Sequence, residues 1–320
     1  MTFEAYQEHE LQTINNTTMS IFSNDLSKES VFDGIGYEPS FFSRKTMVTT
    51  KTTYSKKKYS DINKDTRKKI LVLCTEERYM TMKNGKKFST GNHPVETLVP
   101  ILHFEQAGFE VDFYTPTGAS VKFEMWAMPY EDENIGKILD KYNTQFSNPH
   151  NLRDFITDTN KGYVDYVAVF IPGGHGAMLG LPENNDVKEL IKWAVGEDKY
   201  LLAICHGPAA LLSVADCGDT EFPFKGYQIN SFPDEMDKTL PESGYQPGEM
   251  PWFYGEKLKQ LGVEILNKKI AGDCHVDRKL ITADSPLAAD KFGKLCADEL
   301  LANEKSKVEK PAGGDAKNST

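Results

Sequence analysis

Tyr200-Leu201-Leu202-Ala203-Ile204-Cys205-His206-Gly207-Pro208-Ala209-Ala210-Leu211-Leu212 begins as an apolar strand, stops on a cysteine and turns at once into a helical pattern. Small residues stand two positions to either side of the cysteine. Ala203-x-Cys205-x-Gly207 thus has the form of a nucleophile elbow, with sulfur where the serine version has oxygen. So tight a strand-to-helix turn leaves no room for large flanking side chains. Pro208 suits the first helical turn, where its missing N–H costs nothing. The geometry predicts a Cys205 sulfur raised above a sheet at a helix N-terminus, where the helix dipole favours thiolate.

Outward from the elbow, strands and helices alternate. Lys69 to Cys74 reads as a buried parallel strand, and a helix follows from about Pro94 to Ala107, closed by Gly108. Glu110 to Thr115 and Tyr166 to Ile171 are further strands, and Asp186 to Gly196 is an amphipathic helix. Lys279 to Ala283 is a strand and Pro286 to Ala302 a helix. This rhythm predicts an α/β fold, a doubly wound parallel sheet with its site at the strand C-termini. It breaks between Ser120 and Val164, where residues 120–164 are expected to form a small cap. The α/β domain is placed at residues 67–304. Residues 1–66 read as a polar, partly basic extension that Phe32, Phe41 and Phe42 anchor on the body. Its stretch from Thr46 to Ser60 is either a strand or a tether. Residues 305–320 read as a disordered tail.

Composition narrows the function. The 320 residues carry a net charge of −10, which argues against a nucleic-acid surface. The ten Lys/Arg between Arg44 and Lys69 face two Asp, a local charge of +8 in a solvated linker. No apolar run is long enough to span a bilayer, and the acidic first ten residues resemble no secretory signal. Five scattered cysteines without CxxC spacing argue against a disulfide framework. A reducing, cytoplasmic setting is therefore expected.

Around Cys205 the chain offers few partners for catalysis. His206 is a base, an orienter or a packing histidine, since adjacency alone does not bring its ring to the sulfur. Asp234, at the end of an apparent strand from Tyr227 to Phe232, is a possible carboxylate partner for it. Gly173-Gly174-His175-Gly176 follows another strand, and its N–H groups suit either an oxyanion site shared with His206 or a plain turn. Glu96, in the first turn of the helix after the first strand, either compensates the dipole or moves protons beside the thiol. His93, Glu96 and His103 lack the His-Glu-x-x-His pattern of zinc sites, and no metal is expected.

Three segments carry a resemblance: Pro172-Gly173-Gly174-His175-Gly176, Cys205-His206-Gly207-Pro208-Ala209-Ala210 and Phe88 to Thr97. With them the chain resembles the ThiJ/PfpI superfamily. Lys122 to Pro129 and Asp277 to Pro286 point to the branch described as heat-shock chaperone, glutathione-independent glyoxalase (glyoxalase III) and protein deglycase. The resemblance spans about Lys69 to Ala302. It implies a flavodoxin-like sandwich with a small cap and a homodimer. It also implies Cys205 as nucleophile, His206 and Asp234 as its partners, and Glu96 hydrogen-bonded to the thiol. Some members of the branch hold a metal on two histidines and a carboxylate. The matching positions here are Glu105, Glu110 and Tyr142, so that site is not carried over. Residues 1–66 show no clear match.

The implied activity is conversion of methylglyoxal to lactate without a cofactor, by Cys205 attack on the aldehyde with Glu96 as proton shuttle. Early methylglyoxal adducts on proteins or nucleotides are further expected substrates. One alternative is a stress holdase for unfolded client proteins. Another is a cysteine hydrolase, for which His275-Val276-Asp277 is a weak match to a glutaminase pair.

Overall fold

The computed structural model describes residues 27–60, 63, 68–158, 165–216 and 221–309. Their elements run β1 (Val31–Phe32), β2 (Tyr37–Glu38), α1 (Phe41–Met47), β3 (Lys69–Leu73), β4 (Tyr79–Thr81), β5 (Lys87–Ser89), α2 (Pro94–Gln106) and β6 (Glu110–Thr115). Then come α3 (Glu133–Ser147), β7 (His150–Asn151), α4 (Leu152–Thr157), β8 (Tyr166–Ile171), α5 (Asn185–Gly196) and β9 (Tyr200–Ile204). The last are β10 (Gln228–Ile229), α6 (Asp234–Asp237), α7 (Tyr254–Gln260), β11 (Glu264–Ile265), β12 (Cys274–Asp277), β13 (Leu280–Ala283) and α8 (Ala289–Glu309).

The main sheet has the order β12-β13-β9-β8-β3-β6-β7, and every pairing but β12–β13 is parallel. Parallel strands covered on both faces need continuous apolar runs, which Ile70 to Leu73, Tyr166 to Ile171 and Tyr200 to Ile204 supply; all are buried. Alternate side chains feed two cores. Ile70, Val72, Phe170, Leu202 and Ile281 pack with Leu98, Ile101, Phe104 and Phe292 of α2 and α8. Phe170 meets Phe104 edge-on at 5.5 Å. Leu71, Leu73, Val169, Ile171 and Leu201 face Val187, Leu190 and Ile191 of α5. The chain leaves β3 toward β6 on one side and later toward β8 on the other, so a topological switch point lies above the C-terminal end of β3.

The fold is thus the flavodoxin-like α/β sandwich expected. Residues 120–164 divide differently from the expected cap. Val121 to Met128 run over the site, but α3 and β7 form a crossover that adds a parallel strand beside β6. The apolar positions of α3, Ile135, Ile138, Leu139, Tyr142 and Phe146, join the core below. The stretch reads as polar and partly helical, and the missed signal was the amphipathic period of α3 within it. Residues 159–164 lie outside the described residues. Two other expectations are corrected. The elbow leads into a 3-10 run, Gly207–Val214, rather than an α-helix. Of the strand foreseen from Tyr227 to Phe232, only Gln228 and Ile229 pair, with β11.

In the described part of the N-terminal extension, β1 and β2 extend β5 and β4 into a second sheet. Of the three expected aromatic anchors only Phe42 is half-buried, and polar contacts hold the extension as well. Ser40 and Ser43 are fully buried and each donates to the Ser243 carbonyl at 2.8 Å, whereas Phe32 and Phe41 stay exposed. From Thr52 to Tyr59 the chain is the tether alternative: Thr52 donates to Asp132, Ser55 to Asp290 and Lys57 to Asp298. At the other end α8 continues to Glu309, so residues 305–309, assigned to the tail, are helical. Residues 1–26 and 310–320 lie outside the described residues.

Candidate active site

Cys205 sits where β9 ends, with φ +58°, a left-handed conformation that costs a non-glycine residue about 1–3 kcal/mol. The surrounding structure holds it there. Its N–H donates to Ala283 at 2.8 Å, and its carbonyl accepts from Phe232 N–H at 3.0 Å and from the Tyr254 hydroxyl at 2.9 Å. Gly207 is required because a Cβ there would overlap the Ile171 carbonyl. Gly173, at the end of β8, is required for the same reason. A Cβ would stand 2.6 Å from the Cys205 Cβ and strike the Glu96 carboxyl. The two strand ends therefore meet only because neither turn carries a side chain at these positions.

Glu96 enters from the first turn of α2 and is fully buried. Its carboxyl meets the Cys205 thiol, and neither oxygen has an N–H or O–H donor. Burial pushes Glu96 well above the usual carboxylate range, against the opposing hydrogen bond with the thiol. Burial, followed by the charge of Glu96, likewise pushes the Cys205 thiol up, while the Gly174 N–H, bonded to the sulfur, works the other way. Both directions oppose the dipole-stabilised thiolate expected from the elbow. A short 3-10 run offers little dipole to offset full burial.

The His206 ring does reach the sulfur: Nδ1 lies 3.2 Å from Sγ. Its orienting carboxylate is not Asp234. Asp234 accepts from the Gly255 N–H at 3.0 Å and the Glu256 N–H at 2.7 Å, as a cap on α7. Asp237, one turn further along α6, takes the expected place, with Oδ2 at 2.9 Å from His206 Nε2. Asp237 is almost fully buried. Burial would raise it, but His206 and His175 outweigh burial and hold it at about 2. An ionised Asp237 fixes the tautomer: Nε2 carries the hydrogen and donates, and Nδ1 offers its lone pair to the thiol. Burial and then His175 push His206 down, against the pull of Asp237, so the ring is neutral near pH 7. The sequence shows only that Pro233 can start a helical turn carrying both Asp234 and Asp237; it does not show which of the two meets His206.

His175 follows Gly174, whose φ is +95° and where a Cβ would stand 2.5 Å from His93 N. Its Nε2 lies 2.9 Å from the other Asp237 oxygen, Oδ1, and its ring centre 4.0 Å from that of His206. Glu124, also missed in the sequence, is buried beside it: Oε1 accepts from the Thr90 hydroxyl at 2.7 Å and the His175 N–H at 3.2 Å. His93 caps α2, and burial lowers its ring to about 4. His103 lies apart, bound to Asp290 at 2.9 Å and facing the Tyr59 hydroxyl.

The positions matched to a metal site in relatives are engaged with neighbours. Lys141 and the Tyr142 hydroxyl both donate to Glu105, and Glu110 lies 3.7 Å from Lys69. Among the described residues, ligand-type atoms converge within 4.8 Å at His175, His206 and Asp237. There the carboxylate already accepts one hydrogen bond from each ring. No helix among the described residues is long and apolar enough to cross a membrane.

The site therefore presents a buried thiol with a neutral imidazole base on one side and a protonated carboxyl on the other, at the C-terminal edge of a parallel sheet. Known proteins are similar to this chain. The protein/nucleic acid deglycase HchA of Escherichia coli O139:H28 (strain E24377A / ETEC) is 48% identical over 234 residues, covering 73% of this chain and 81% of that protein. Protein/nucleic acid deglycase 1 of Escherichia coli (strain K12) matches to the same extent. Among solved structures, the Rapid Encystment Protein 24 kDa of Francisella tularensis superposes with a TM-score of 0.62 at 22% identity, over 73% of this chain and 99% of that one. Glyoxalase III from Candida albicans superposes with a TM-score of 0.58 at 22% identity, over 74% and 97%. These two likenesses concern the fold. Residues 88–221, which hold Glu96, Gly173, His175, Cys205 and His206, match the DJ-1/PfpI family, and with the extent of identity to the deglycases the chain belongs to that family.

Proposed function

We propose that the chain is a thiol enzyme that converts methylglyoxal to lactate and acts on early methylglyoxal adducts. One observation carries this reading: a buried carboxyl, Glu96, faces the Cys205 thiol and has no other donor. Hydrolysis through an acyl-enzyme needs a nucleophile and one base. Isomerisation of a 2-oxoaldehyde also needs a group that moves a proton between adjacent carbons, and Glu96 stands where that group is required.

The steps balance without an external oxidant. The thiol proton passes to His206 Nδ1 as sulfur adds to the aldehyde carbon, and Glu96 protonates the new oxygen, giving a hemithioacetal. The Glu96 carboxylate then takes the hydrogen of that carbon as a proton. The electron pair forms an enediol, and His206 protonates the former ketone oxygen. Glu96 returns its proton to the second carbon while the first oxygen loses one to His206, leaving a lactoyl thioester. Water then cleaves the thioester, Glu96 taking a proton from water and His206 returning one to sulfur. The aldehyde carbon is oxidised and the ketone carbon reduced, so no nicotinamide takes part. The Gly174 N–H, directed at the sulfur, supports the oxyanion formed next to it.

Cys205 is only 4% exposed, which favours a three-carbon aldehyde over an adduct on a folded protein surface. Removal of free aldehyde then accounts for part of any repair. The test follows methylglyoxal by NMR without glutathione, for wild type and Cys205→Ala. Lactate from the wild type alone supports the reading, and no lactate, or equal lactate from both, overturns it.

A second reading, a holdase, is favoured by Phe32, Ile35, Phe41 and Met47, which are all exposed on the N-terminal extension. Suppression of aggregation that survives Cys205→Ser separates it from the enzyme. A homodimer belongs to either reading and is tested by sedimentation of the full chain.

A further inference from the structure

We propose that His175 is a positioning residue for the Cys205 chemistry: clamped between Asp237 and Glu124 and lying against the His206 ring, it fixes His206 as the base that faces the thiol. The inference rests on the proposed function for its activity readout, but its geometry stands apart from it. Asp237 has two oxygens and two imidazole partners, His206 on Oδ2 and His175 on Oδ1, each at 2.9 Å. On its other side His175 meets Glu124, whose Oε1 accepts from the His175 backbone N–H at 3.2 Å and lies 3.9 Å from Nδ1. Asp237, Glu124 and both rings are buried. Two buried carboxylates around one imidazole demand a cation between them, because an uncompensated buried charge is strongly destabilising.

Burial works against charge on His175, yet Asp237 and Glu124 outweigh it and lift it to about 10. The resulting cation lies 4.0 Å, ring centre to ring centre, from His206. It disfavours a second positive charge there and so preserves the free Nδ1 lone pair that the sulfur requires. Other titratable groups face His175 as well: His93, neutral at the N-terminus of α2, and Glu96 on the same helix. The Gln246 side-chain amide stands 2.9 Å from Nε2 with its oxygen otherwise unpartnered, and a cationic ring requires that oxygen rather than the NH2 to face Nε2. Tyr245, which burial pushes up and keeps neutral, and the Phe88 and Phe232 rings also face it. In this chain the elbow therefore carries more than a Cys-His-Asp triad. The carboxylate that orients the base would also attract a proton onto it, and His175 cancels that pull.

The test is an NMR titration of the histidine rings without substrate, together with the pH profile of kcat/KM for lactate formation, in wild type, His175→Gln and Glu124→Gln. In H175Q, His206 gains a proton at a pH at least about one unit higher, and the acid limb of the activity profile rises with it. In E124Q, His175 loses its proton at a lower pH while the acid limb does not rise. An unchanged His206 titration in H175Q, with activity lowered equally at all pH, assigns His175 to packing and overturns the proposal. Where H175Q does not fold, E124Q decides, and an unchanged His175 titration there overturns it. Absence of lactate from the wild type at every pH refutes the proposed function instead, and the substrate-free titration still judges this inference.

Discussion

Replacing Asp237 with Asn separates the two aspartates of α6 and reports directly on the base. Asp237 accepts from His206 Nε2 and His175 Nε2, each at 2.9 Å. An asparagine of the same shape has one acceptor and one donor, so it cannot accept from both rings. Its amide N–H favours the His206 tautomer with hydrogen on Nδ1, pointing a donor at the sulfur in place of a lone pair. In a serine triad the equivalent exchange lowers turnover by about 10⁴. Here the expected fall in kcat/KM for methylglyoxal is about 10³- to 10⁴-fold, or roughly 4–5.5 kcal/mol of transition-state stabilisation. Asp234→Asn is the control. It weakens two hydrogen bonds to the N-terminus of α7, from Gly255 and Glu256, and costs about 1 kcal/mol of stability with activity within a few-fold of wild type. Lactate formation by NMR and urea unfolding are measured for both variants. Loss of lactate in a folded D234N, with D237N active, would falsify the assignment of Asp237 as the orienting carboxylate.

Three further outcomes follow from the site and the fold. Glu96→Gln retains thiol addition but stops proton transfer between carbons, so a Cys205 adduct detectable by mass spectrometry accumulates and lactate falls at least about 10²-fold; wild-type turnover in this variant refutes the shuttle. Because His175 is raised to about 10 in the folded state, its stabilising contribution is complete below about pH 6.5, the unfolded value, and is lost as pH rises through about 10. The urea midpoint of the wild type should fall over that window, and H175Q should flatten the slope; parallel slopes argue against a charged His175. Finally, Ser40→Ala with Ser43→Ala removes both donors to Ser243 and loosens the N-terminal extension. Proteolysis near residues 27–50 then accelerates while lactate formation stays near wild type, whereas equal cleavage rates deny these serines an anchoring role.

The elements legible in the sequence were those whose signal is local. The strands at Tyr166–Ile171 and Tyr200–Ile204 stand where their apolar runs place them, because a strand covered on both faces needs an unbroken run. The elbow was legible for the same reason: Gly207 leaves room for the Ile171 carbonyl, and no larger residue does. The second carboxylate was not. Asp234 and Asp237 differ only in their place on one helical turn, and which of them meets His206 depends on how α6 docks. Burial was equally silent. The thiol of Cys205 and the carboxyl of Glu96 are pushed up by desolvation, a property of everything packed around them.

By itself the sequence determined the alternating α/β order, the cysteine on a turn that excludes side chains, and the carboxylate in the first turn of α2, since each follows from backbone sterics and periodicity within a few residues. Only the tertiary structure decided which acids and histidines converge. Strand order brings the ends of β8 and β9 together above the switch point at β3, and the docking of α6 sets Asp237 between two imidazoles. Residues from positions 96, 124, 175, 205 and 237 thereby share one buried environment, where charge is expensive and each proton's place depends on its neighbours.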